Sequence, residues 1–540
     1  MFNSKSVYKY LLCGILIIAG FLRFYNLNWD QGHYLHPDER LYINASSISL
    51  PANLSDLLSP NSPLNPHMFY YGSLPLYIYK LVNIFIFPSL SFNITGRFIS
   101  ALLSTLTIYL VFLLGKIIFG KKTAILGAVV FAFSAGSIEH AHFDTTESML
   151  VFFITLITLL TTVFTVKKKY LLLPIIGALV GLSYATKITG LTFILIPLLV
   201  IIYEFFITRH KWKLLSFTFL FFLTITITGI IAAPYQIIDY SHFKNEQDYM
   251  QGVIYGNSKP PFVIIYEGTL SYIYPLTKIL PFTFGFLSLP LSILGLYLLT
   301  REKGWEDKKR FLFLLLTLYP LIYFLWAGSW YTKFSRYYIL LFPFLSLWAG
   351  YALHKFSKKI ILISLIFFIA INGILYTKIY LFPNTRIQAS EYIYKTIPAG
   401  SSIAGEHWDD NLPLPIENLE TMANYKFIQL TVYDPDSLQK VNQLSENLSN
   451  SDYFIISSRR VYQSILNNKK LYPYTSNFYK KLFAGKLGFI LQKKFTNYPY
   501  FFSDDFADET FQSYDHPPVL IFKNTNKLTA KELEALILNK

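Results

Sequence analysis

Charged residues and cysteine are both scarce in this chain. Of its 540 residues, 15% are charged, against 53% that are hydrophobic and 18% that are aromatic. A soluble domain carries about 25% charged residues, so much of this surface must face lipid, and an ordinary soluble protein is excluded. The single cysteine, Cys13, excludes a disulfide within the chain.

Acidic residues are fewer than basic ones, which gives a net charge of +15. In a soluble protein that charge would suggest nucleic-acid binding. Here the lysines and arginines cluster between apolar runs, and no nucleic-acid motif is present. We therefore interpret them as signals of membrane topology and expect no nucleic-acid partner.

The chain contains eleven apolar runs that are long enough, or nearly long enough, to cross a membrane, and they predict about eleven transmembrane helices. The runs occur near residues 10–28, 97–119, 123–138, 146–166, 170–185, 188–207, 214–233, 281–299, 311–327, 337–353 and 360–378. The first run follows a short basic N-terminus without a cleavage site, which indicates an uncleaved span. The segment Tyr70–Ser89 carries Lys80 in its middle and Pro75 near its start. We interpret it as a helix lying on the outer membrane surface.

The basic residues give this bundle a direction. With a cytoplasmic N-terminus, the inner loops carry about twice as many Lys and Arg residues as the outer loops, as the positive-inside rule requires. Three loops then lie outside, at residues 29–96, 139–146 and 234–280. The pattern predicts a multi-pass protein of the cell membrane whose C-terminal domain is extracytoplasmic.

Two domains are predicted. Residues 1–383 form the transmembrane module, and residues 384–540 form a soluble α/β domain. The tail alternates helical and strand patterns with turns. The predicted elements are a helix at Gln388–Thr396, strands at Tyr453–Ser457 and Val519–Phe522, and a closing helix at Thr529–Leu538.

The first outer loop contains a concentrated ionisable motif, His36-Pro37-Asp38-Glu39-Arg40. One interpretation is a helix start, because proline suits the first helical position and acids in the first turn complement the helix dipole. The other is catalysis, since two carboxylates, a histidine and an arginine meet where the loop reaches the membrane. The motif alone is compatible with both.

The second outer loop contains Glu139, His140, His142, Asp144 and Glu147. Asp144 and Glu147 fit a carboxylate version of the capping box that opens the next span. Ionisable residues at the end of a membrane helix also suggest function, with a solvated interface as the simpler alternative. The topology places both acidic loops on the outer face, where one site could hold a general base and orient a polar acceptor.

The same side chains could bind a divalent metal ion. No helix-spaced ligand pair of the HExxH kind supports a metal, since His140 and His142 are two residues apart and diverge around a helix. We therefore expect no required cofactor and assign no metal ligand.

Basic residues near the outer face form a further set. Lys187 lies in the tight turn Ala185–Gly190, and Arg336 lies in the aromatic segment Trp330–Tyr338. Each residue alone is explained by snorkelling at the membrane interface. Together they could hold a lipid-linked phosphate, whose leaving-group charge must be stabilised.

Several motifs follow a recognisable order over residues 1–350. They are Asp38-Glu39-Arg40, Phe69-Tyr70-Tyr71-Gly72-Ser73-Leu74-Pro75, Arg97-Phe98-Ile99-Ser100-Ala101-Leu102, the Asp144 loop, Tyr184-Ala185-Thr186-Lys187-Ile188-Thr189-Gly190, and Arg336-Tyr337-Tyr338. In these the sequence resembles the GT-C glycosyltransferase superfamily. The nearest group contains the protein O-mannosyltransferases and the lipid A aminoarabinose transferases.

The resemblance implies transfer of a sugar from a polyprenyl-phosphate-linked donor to an extracytoplasmic acceptor, namely a glycan, lipid or protein hydroxyl, generally with inversion. By resemblance, Asp38 is the general base, Glu39 its paired acid and Asp144 the acid that orients substrate. Lys187 and Arg336 are the expected phosphate contacts. A donor held in membrane lipid needs no Gly-rich nucleotide loop, and none is present in the sequence.

Further residues are predicted to bind substrate because they lie in these motifs or beside them: His36, Arg40, His67, Tyr71, His140, His142 and Glu147. The lipid A transferases carry a lysine just before the juxtamembrane helix, whereas this chain has His67 nearby. That difference leaves the phosphate contact open at this position.

Two other classes of function compete with this prediction. A transporter or flippase for a lipid-linked or small solute would place ionisable groups near the bilayer midplane and often shows paired repeats. A non-catalytic receptor would use the tail as its binding module and would tolerate changes at Asp38 and Asp144. The concentration of charge in outer loops, without an evident repeat, favours the transferase.

Overall fold

A computed structural model describes residues 4–416 and 422–539. The chain forms two compact units. The first comprises Met1–Leu27, His36–Gln251 and Ser271–Thr377, and the second comprises Asn28–Leu35, Gly252–Leu270 and Lys378–Lys540. Two segments of the predicted outer loops therefore group with the C-terminal residues.

The part of the chain before residue 378 is helical. Its α-helices, in chain order, are α1 (Ser4–Phe24), α2 (Pro37–Ala45), α3 (Leu54–Leu57), α4 (Ser73–Phe85), α5 (Phe92–Ile118), α6 (Lys121–Ala132), α7 (Ala135–Glu139), α8 (Glu147–Lys167), α9 (Leu172–Thr186), α10 (Leu195–Ile207), α11 (Lys211–Ala232), α12 (Tyr235–Ile238), α13 (Tyr240–Tyr255), α14 (Leu280–Thr283), α15 (Ser288–Thr300), α16 (Asp307–Gly328), α17 (Phe342–Lys355) and α18 (Lys359–Thr377). Short 3₁₀ turns at Ile188–Ile194 and at Ser335–Tyr337 precede α10 and α17.

The chain is a multi-pass membrane protein. Over the described residues, 8 helices are long and apolar enough to cross a bilayer, or up to 9 if a pair bent by 106° counts as one span. The predicted number of about eleven is therefore not confirmed. The run at 123–138 breaks after the 12-residue helix α6, which rises only about 18 Å against a hydrocarbon core of about 30 Å.

Two further predicted spans also differ from simple crossing helices. The run at 170–185 is the 15-residue helix α9. The run at 281–299 contains the bend between Pro275–Thr283 and Ser288–Thr300. Hydropathy averages over a window, so it does not detect where an apolar run bends or stops being helical.

The burial of the long helices separates the centre of the bundle from its rim. Over its most apolar stretch, α8 is 72% buried and the segment Ser335–Lys355 is 89% buried, whereas the same measure for α11 is 17%. Helix α5 packs against α6 and α8, and α17 packs against α6 and α15. The segments that carry Glu147 and Arg336 therefore lie in the packed interior.

The predicted first outer loop contains three helices, α2, α3 and α4. Helix α2 begins at Pro37, and the His36 side chain accepts a hydrogen bond from the Asp38 backbone N–H. The predicted helix start is thus confirmed. Helix α4 lies within the predicted segment Tyr70–Ser89 and buries one face through Leu76 and Tyr79. Its position on the membrane surface stays a prediction.

The second unit contains a five-stranded sheet. Its strands are β1 (Ser402–Glu406), β2 (Lys426–Leu430), β3 (Tyr453–Ile456), β4 (Phe489–Phe495) and β5 (Val519–Asn524), in the order β2-β1-β3-β5-β4. Strand β1 pairs in parallel with β2 and β3, and β5 pairs antiparallel with β3 and β4. The predicted α/β fold of the tail is confirmed.

Among the described residues, five α-helices lie within the C-terminal segment of the second unit. They are α19 (Thr385–Thr396), α20 (Leu438–Ser449), α21 (Arg460–Asn467), α22 (Pro473–Phe483) and α23 (Ala530–Leu538). A capping box between Thr529 and Glu532 starts α23. The sheet's core includes Phe454 and Phe522, whose ring centroids lie 6.4 Å apart, with Phe478 packed beside Phe454.

Candidate functional site

The two acidic loops meet in the first unit, and α2 decides which acid faces inward. Successive residues on an α-helix point about 100° apart. Glu39, Tyr42 and Ala45, three residues apart, are the buried face of α2. The side chain of Asp38, next to Glu39, retains 16% of its accessible surface. The two carboxylates of the motif therefore have different environments.

Glu39 anchors α2 to the membrane helices. Its carboxylate accepts hydrogen bonds of 2.9 and 2.6 Å from the guanidinium of Arg97 on α5. Neither side chain has any exposed surface. The Asp144 backbone N–H donates to the same carboxylate at 2.6 Å. Glu39 thus joins the first outer loop, α5 and the second outer loop through one buried ion pair.

Asp144 lies against α5 rather than at the surface. Gly96 makes room for it, because a Cβ added at Gly96 would lie 2.0 Å from an Asp144 carboxylate oxygen. In the described part of the chain neither carboxylate oxygen of Asp144 makes a hydrogen bond. Burial, reinforced by the charge of Glu39, raises the pKa of Asp144 well above its ordinary value.

Asp38 forms an ion pair with Arg336, which precedes α17 in the chain. The Arg336 guanidinium also donates to the Tyr71 hydroxyl at 3.2 Å. Burial opposes ionisation of Asp38, but the positive charge of Arg336 outweighs it and holds the pKa of that carboxyl below its ordinary value. Asp38 is therefore ionised at neutral pH.

A second ion pair lies beside the first. The Lys187 ammonium donates to the Glu147 carboxylate at 3.1 Å. The same ammonium lies 5.1 Å from the ring centroid of Tyr71. We call Asp38, Arg336, Tyr71, Lys187 and Glu147 the charged site. It holds two carboxylates, two cations and a tyrosine that contacts both cations.

Gly72 brings the first outer loop against the turn that carries Lys187. Its backbone N–H donates to the Thr186 carbonyl at 3.0 Å. A Cβ at Gly72 would lie 1.8 Å from the Ala185 carbonyl oxygen. Only glycine permits this approach, so the position of Tyr71 relative to Lys187 depends on it.

The three predicted histidines of the acidic loops contact backbone groups and an aromatic ring. Burial lowers the pKa of His36 to about 3, and the neutral imidazole can accept the Asp38 N–H. The ring of Phe143 lies between those of His36 and His140, with centroid distances of 4.6 and 5.9 Å. The ring nitrogens of His142 lie 2.8 and 2.9 Å from the carbonyls of Ile138 and Tyr25.

Two other predicted residues lie in the first outer loop. Arg40 is half-buried on α2. The ring of His67 is half-exposed, and its Nδ1 lies 3.6 Å from the carboxylate of Asp239. The structure records no contact between His67 and the charged site within the described residues. The sequence placed His67 beside the juxtamembrane helix but could not identify its partner.

The predicted capping box at Asp144 and Glu147 is wrong. Helix α8 has Thr146 as its N-cap, and no side-chain cap hydrogen bond forms there in the described structure. The Asp144 carboxylate packs against Gly96 instead, and the Glu147 carboxylate forms an ion pair with Lys187. Tertiary contacts have displaced the local motif.

Arg97 is the residue of this region whose role sequence reasoning missed. In the sequence it belongs to the motif Arg97-Phe98-Ile99-Ser100-Ala101-Leu102, and in the structure it carries the buried partner charge of Glu39. A signal was present, because an arginine inside the apolar helix α5 requires a counter-ion in the bundle. Which carboxylate would supply it could not be read from the sequence.

Comparisons with known proteins agree with this fold. Residues 76–238 match the family model described as dolichyl-phosphate-mannose-protein mannosyltransferase. The solved structure of ArnT from Cupriavidus metallidurans bound to undecaprenyl phosphate is similar, with a TM-score of 0.50 and 13% identity over 98% of this chain and 99% of that chain. No curated protein sequence matches the chain.

Two further solved structures are similar at lower scores. The oligosaccharyltransferase AglB from Archaeoglobus fulgidus has 12% identity and a TM-score of 0.48, over 87% of this chain and 72% of that one. The S. cerevisiae protein O-mannosyltransferase Pmt1-Pmt2 complex has 15% identity and a TM-score of 0.32, over 52% and 38%. The predicted resemblance is confirmed by the match of residues 76–238 to the mannosyltransferase family model and by the fold shared with ArnT.

Proposed function

We propose that this chain transfers a sugar from a polyprenyl-phosphate-linked donor to an extracytoplasmic acceptor hydroxyl, with Asp38 as the general base. The observation that carries the proposal is the charged site, in which a partly exposed carboxylate lies beside two cations. The family match and the GT-C fold support glycosyl transfer in general. The acceptor would be a glycan, a lipid or a protein.

The chemistry requires one proton acceptor and one stabilised leaving group. The acceptor oxygen attacks the anomeric carbon and forms the new glycosidic bond, while the bond from that carbon to the phosphate oxygen breaks. The leaving polyprenyl phosphate keeps the electron pair, and Asp38 takes the acceptor's proton. Attack opposite the phosphate inverts the anomeric centre.

Arg336 and Lys187 are proposed to hold the donor phosphate. Each cation is paired with a carboxylate in the structure, so phosphate would compete with those carboxylates for the same positive charge. Because Arg336 holds the pKa of Asp38 low, phosphate binding to Arg336 would raise that pKa. Donor binding would thereby strengthen the base at the step that needs it.

The remaining predicted acids are proposed to act differently from Asp38. Glu39 is wholly buried and paired with Arg97, so we assign it a positioning role for α2. Burial raises the pKa of Asp144, which favours its neutral form. Because its side chain is buried against α5, we propose that it orients substrate by holding the second outer loop in place, the role that the resemblance implies.

The location of the reaction follows from the same proposal. We place the charged site on the extracytoplasmic face of the cell membrane, because the basic loops predict that face for both acidic loops. The second unit would lie on that side and could bind the acceptor. The donor would enter from the lipid, since its polyprenyl chain is held there.

The test is transfer by purified full-length protein supplied with polyprenyl-phosphate-linked hexose or pentose donors. Released polyprenyl phosphate and glycosylated acceptor are measured by mass spectrometry. Asp38→Asn is expected to reduce transfer by about 10²–10⁴-fold, the range of general-base catalysis. Donor binding should be largely retained, because the cations remain.

Asp56→Asn is the matched control, since Asp56 is a partly exposed acid in the same outer loop, and its backbone N–H donates to Asn53, the N-cap of the short helix α3. It should transfer sugar at the wild-type rate. Full activity of Asp38→Asn would overturn the base assignment. Flux of a solute across vesicles without any glycosyl product would favour a transporter instead.

A further inference from the structure

A second group of ionisable residues lies outside the charged site. In residues 4–416 and 422–539, one set of three metal-ligating side chains brings its ligand atoms within 4.8 Å of one another, namely His67, Asp239 and His242. His67 lies in the first outer loop, and the other two lie where α12 ends and α13 begins. The proposed function assigns no part of the chemistry to this group.

The spacing of the group suits a small divalent ion. His67 Nδ1 and His242 Nδ1 lie 3.6 and 3.5 Å from the same Asp239 oxygen. Ligands at the Zn–N and Zn–O distance of about 2.0–2.1 Å in a tetrahedron are separated by about 3.3–3.4 Å. The two observed distances between histidine nitrogen and Asp239 oxygen need to shorten by only a few tenths of an ångström around a bound ion.

A second layer of hydrogen bonds supports these ligands. His242 Nε2, the nitrogen not facing Asp239, lies 3.3 Å from the Glu246 carboxylate. A carboxylate on the far nitrogen of a ligating histidine fixes its tautomer and raises its basicity. The Asn65 side-chain amide donates to the Asp239 carboxylate at 2.9 Å. The contact between His242 and Glu246 is the arrangement typical of a ligating histidine.

The backbone of the first loop is shaped to present His67. Its φ of 47° lies in the left-handed region, which non-glycine residues rarely adopt. The Asn65 side-chain oxygen accepts the His67 backbone N–H at 3.1 Å and stabilises this conformation. Strained backbone conformations of this kind are common at sites where a side chain must be held in one direction.

We propose that His67, Asp239 and His242 bind a divalent transition metal of the Zn²⁺ class, with water in the fourth position. Two imidazoles and one carboxylate suit such an ion, whereas Ca²⁺ and Mg²⁺ prefer oxygen ligands. The His67 and His242 side chains are 50% and 39% exposed, so the ion and its water can reach them.

The role assigned to this metal is structural. Glu246 accepts the Phe69 backbone N–H at 2.5 Å, and Gln247 donates to the Phe69 carbonyl at 2.5 Å. The ion would reinforce the link between α13 and the loop that leads to Tyr71. The segment entering the charged site would then be ordered by the metal without the metal touching substrate.

The experiment measures metal content of the full-length protein in detergent after its affinity tag is removed. Protein is equilibrated with Zn²⁺, dialysed and analysed by inductively coupled plasma mass spectrometry. We expect about one Zn²⁺ per chain in the wild type and none in His67→Gln or His242→Gln. His210→Gln changes an exposed histidine away from the group and should retain the ion.

A conservative variant tests the second layer. Glu246→Gln should weaken Zn²⁺ binding by about 10–100-fold, the usual effect of removing a ligand's carboxylate partner. Co²⁺ as a probe should give the intense visible absorption of a four-coordinate ion in the wild type and lose it in His67→Gln. His67 is a half-exposed loop residue, and size-exclusion chromatography verifies that its variant is folded.

Equal Zn²⁺ content in the wild type, His67→Gln and His242→Gln would overturn the site. Preferential binding of Ca²⁺ or Mg²⁺ over Zn²⁺ would overturn the assignment of metal class. Neither result bears on sugar transfer by Asp38, so this inference and the proposed function can fail separately.

Discussion

Replacing Glu39 with glutamine should destabilise the protein because it leaves the Arg97 charge buried without a counter-ion. Both side chains have no exposed surface, and they share two hydrogen bonds of 2.9 and 2.6 Å. Breaking a buried pair by removing one partner costs about 3–5 kcal/mol. That is a large fraction of a typical folding free energy of about 5–15 kcal/mol.

The assay is reversible unfolding in mixed detergent micelles, followed by tryptophan fluorescence. Glu39→Gln, Arg97→Met and the double variant form a thermodynamic cycle. The double variant should be less destabilised than the sum of the singles, because it leaves no unpaired charge. Asp248→Asn is the control, since the Lys244–Asp248 pair has both side chains 55% exposed and exposed pairs contribute about 0–1 kcal/mol.

The same variant tests the positioning role of Glu39. A shift of α2 moves Asp38, so Glu39→Gln should lower kcat for transfer with a smaller effect on donor KM. A loss of stability below about 1 kcal/mol, with unchanged kcat, would refute the reasoning from burial. Additive effects in the cycle would show that the pair is not coupled.

Two further predictions concern a close backbone approach and a buried histidine. Gly72→Ala places a Cβ 1.8 Å from the Ala185 carbonyl oxygen, so it should lower the free energy of unfolding by about 1–3 kcal/mol in the same assay and reduce transfer. The control is Gly14→Ala, whose Cβ meets no atom within 4 Å, and it should change neither stability nor transfer. In the second unit, burial opposes the charge of His516, but Asp515 and Asp504 outweigh it and raise its pKa to about 10 from an ordinary 6.5. Because the folded pKa is the higher one, this stabilisation is complete below about pH 6.5 and is lost as the pH rises toward about 10. Hydrogen exchange of the sheet, corrected for the base-catalysed rise of the intrinsic exchange rate, should therefore accelerate over that interval in the wild type, and an equal corrected slope in His516→Gln would contradict the assignment.

The local elements of the fold were predictable because their signals are local. Pro37 and the acids after it predicted the start of α2, and the described helix begins there. A short continuous apolar run predicts the strand at Tyr453–Ser457, and the structure has β3 there. The number of spans was not predictable in the same way, since a bend such as that near Phe284 leaves the hydropathy of a run almost unchanged.

The sequence predicts which residues belong to the candidate site better than it predicts which of them form ion pairs. The sequence predicts Asp38, Lys187 and Arg336 as site residues from the motifs that carry the resemblance to GT-C transferases, and the two cations also as a set that could hold a phosphate. It did not predict that Arg336 pairs with Asp38 or that Lys187 pairs with Glu147. Whether these five side chains carry out transfer is the subject of the proposed experiment.

The amino-acid sequence by itself determined that the chain enters a membrane, because too few charged residues remain to cover a soluble surface. It also determined where most helices and several strands begin, since caps and periodicity act within a few residues. Only the tertiary structure decided that Glu39 binds Arg97, 58 residues away, and that Asp38 binds Arg336, 298 residues away. Such pairs depend on how helices pack, and packing is set by the whole bundle at once rather than by any segment of it.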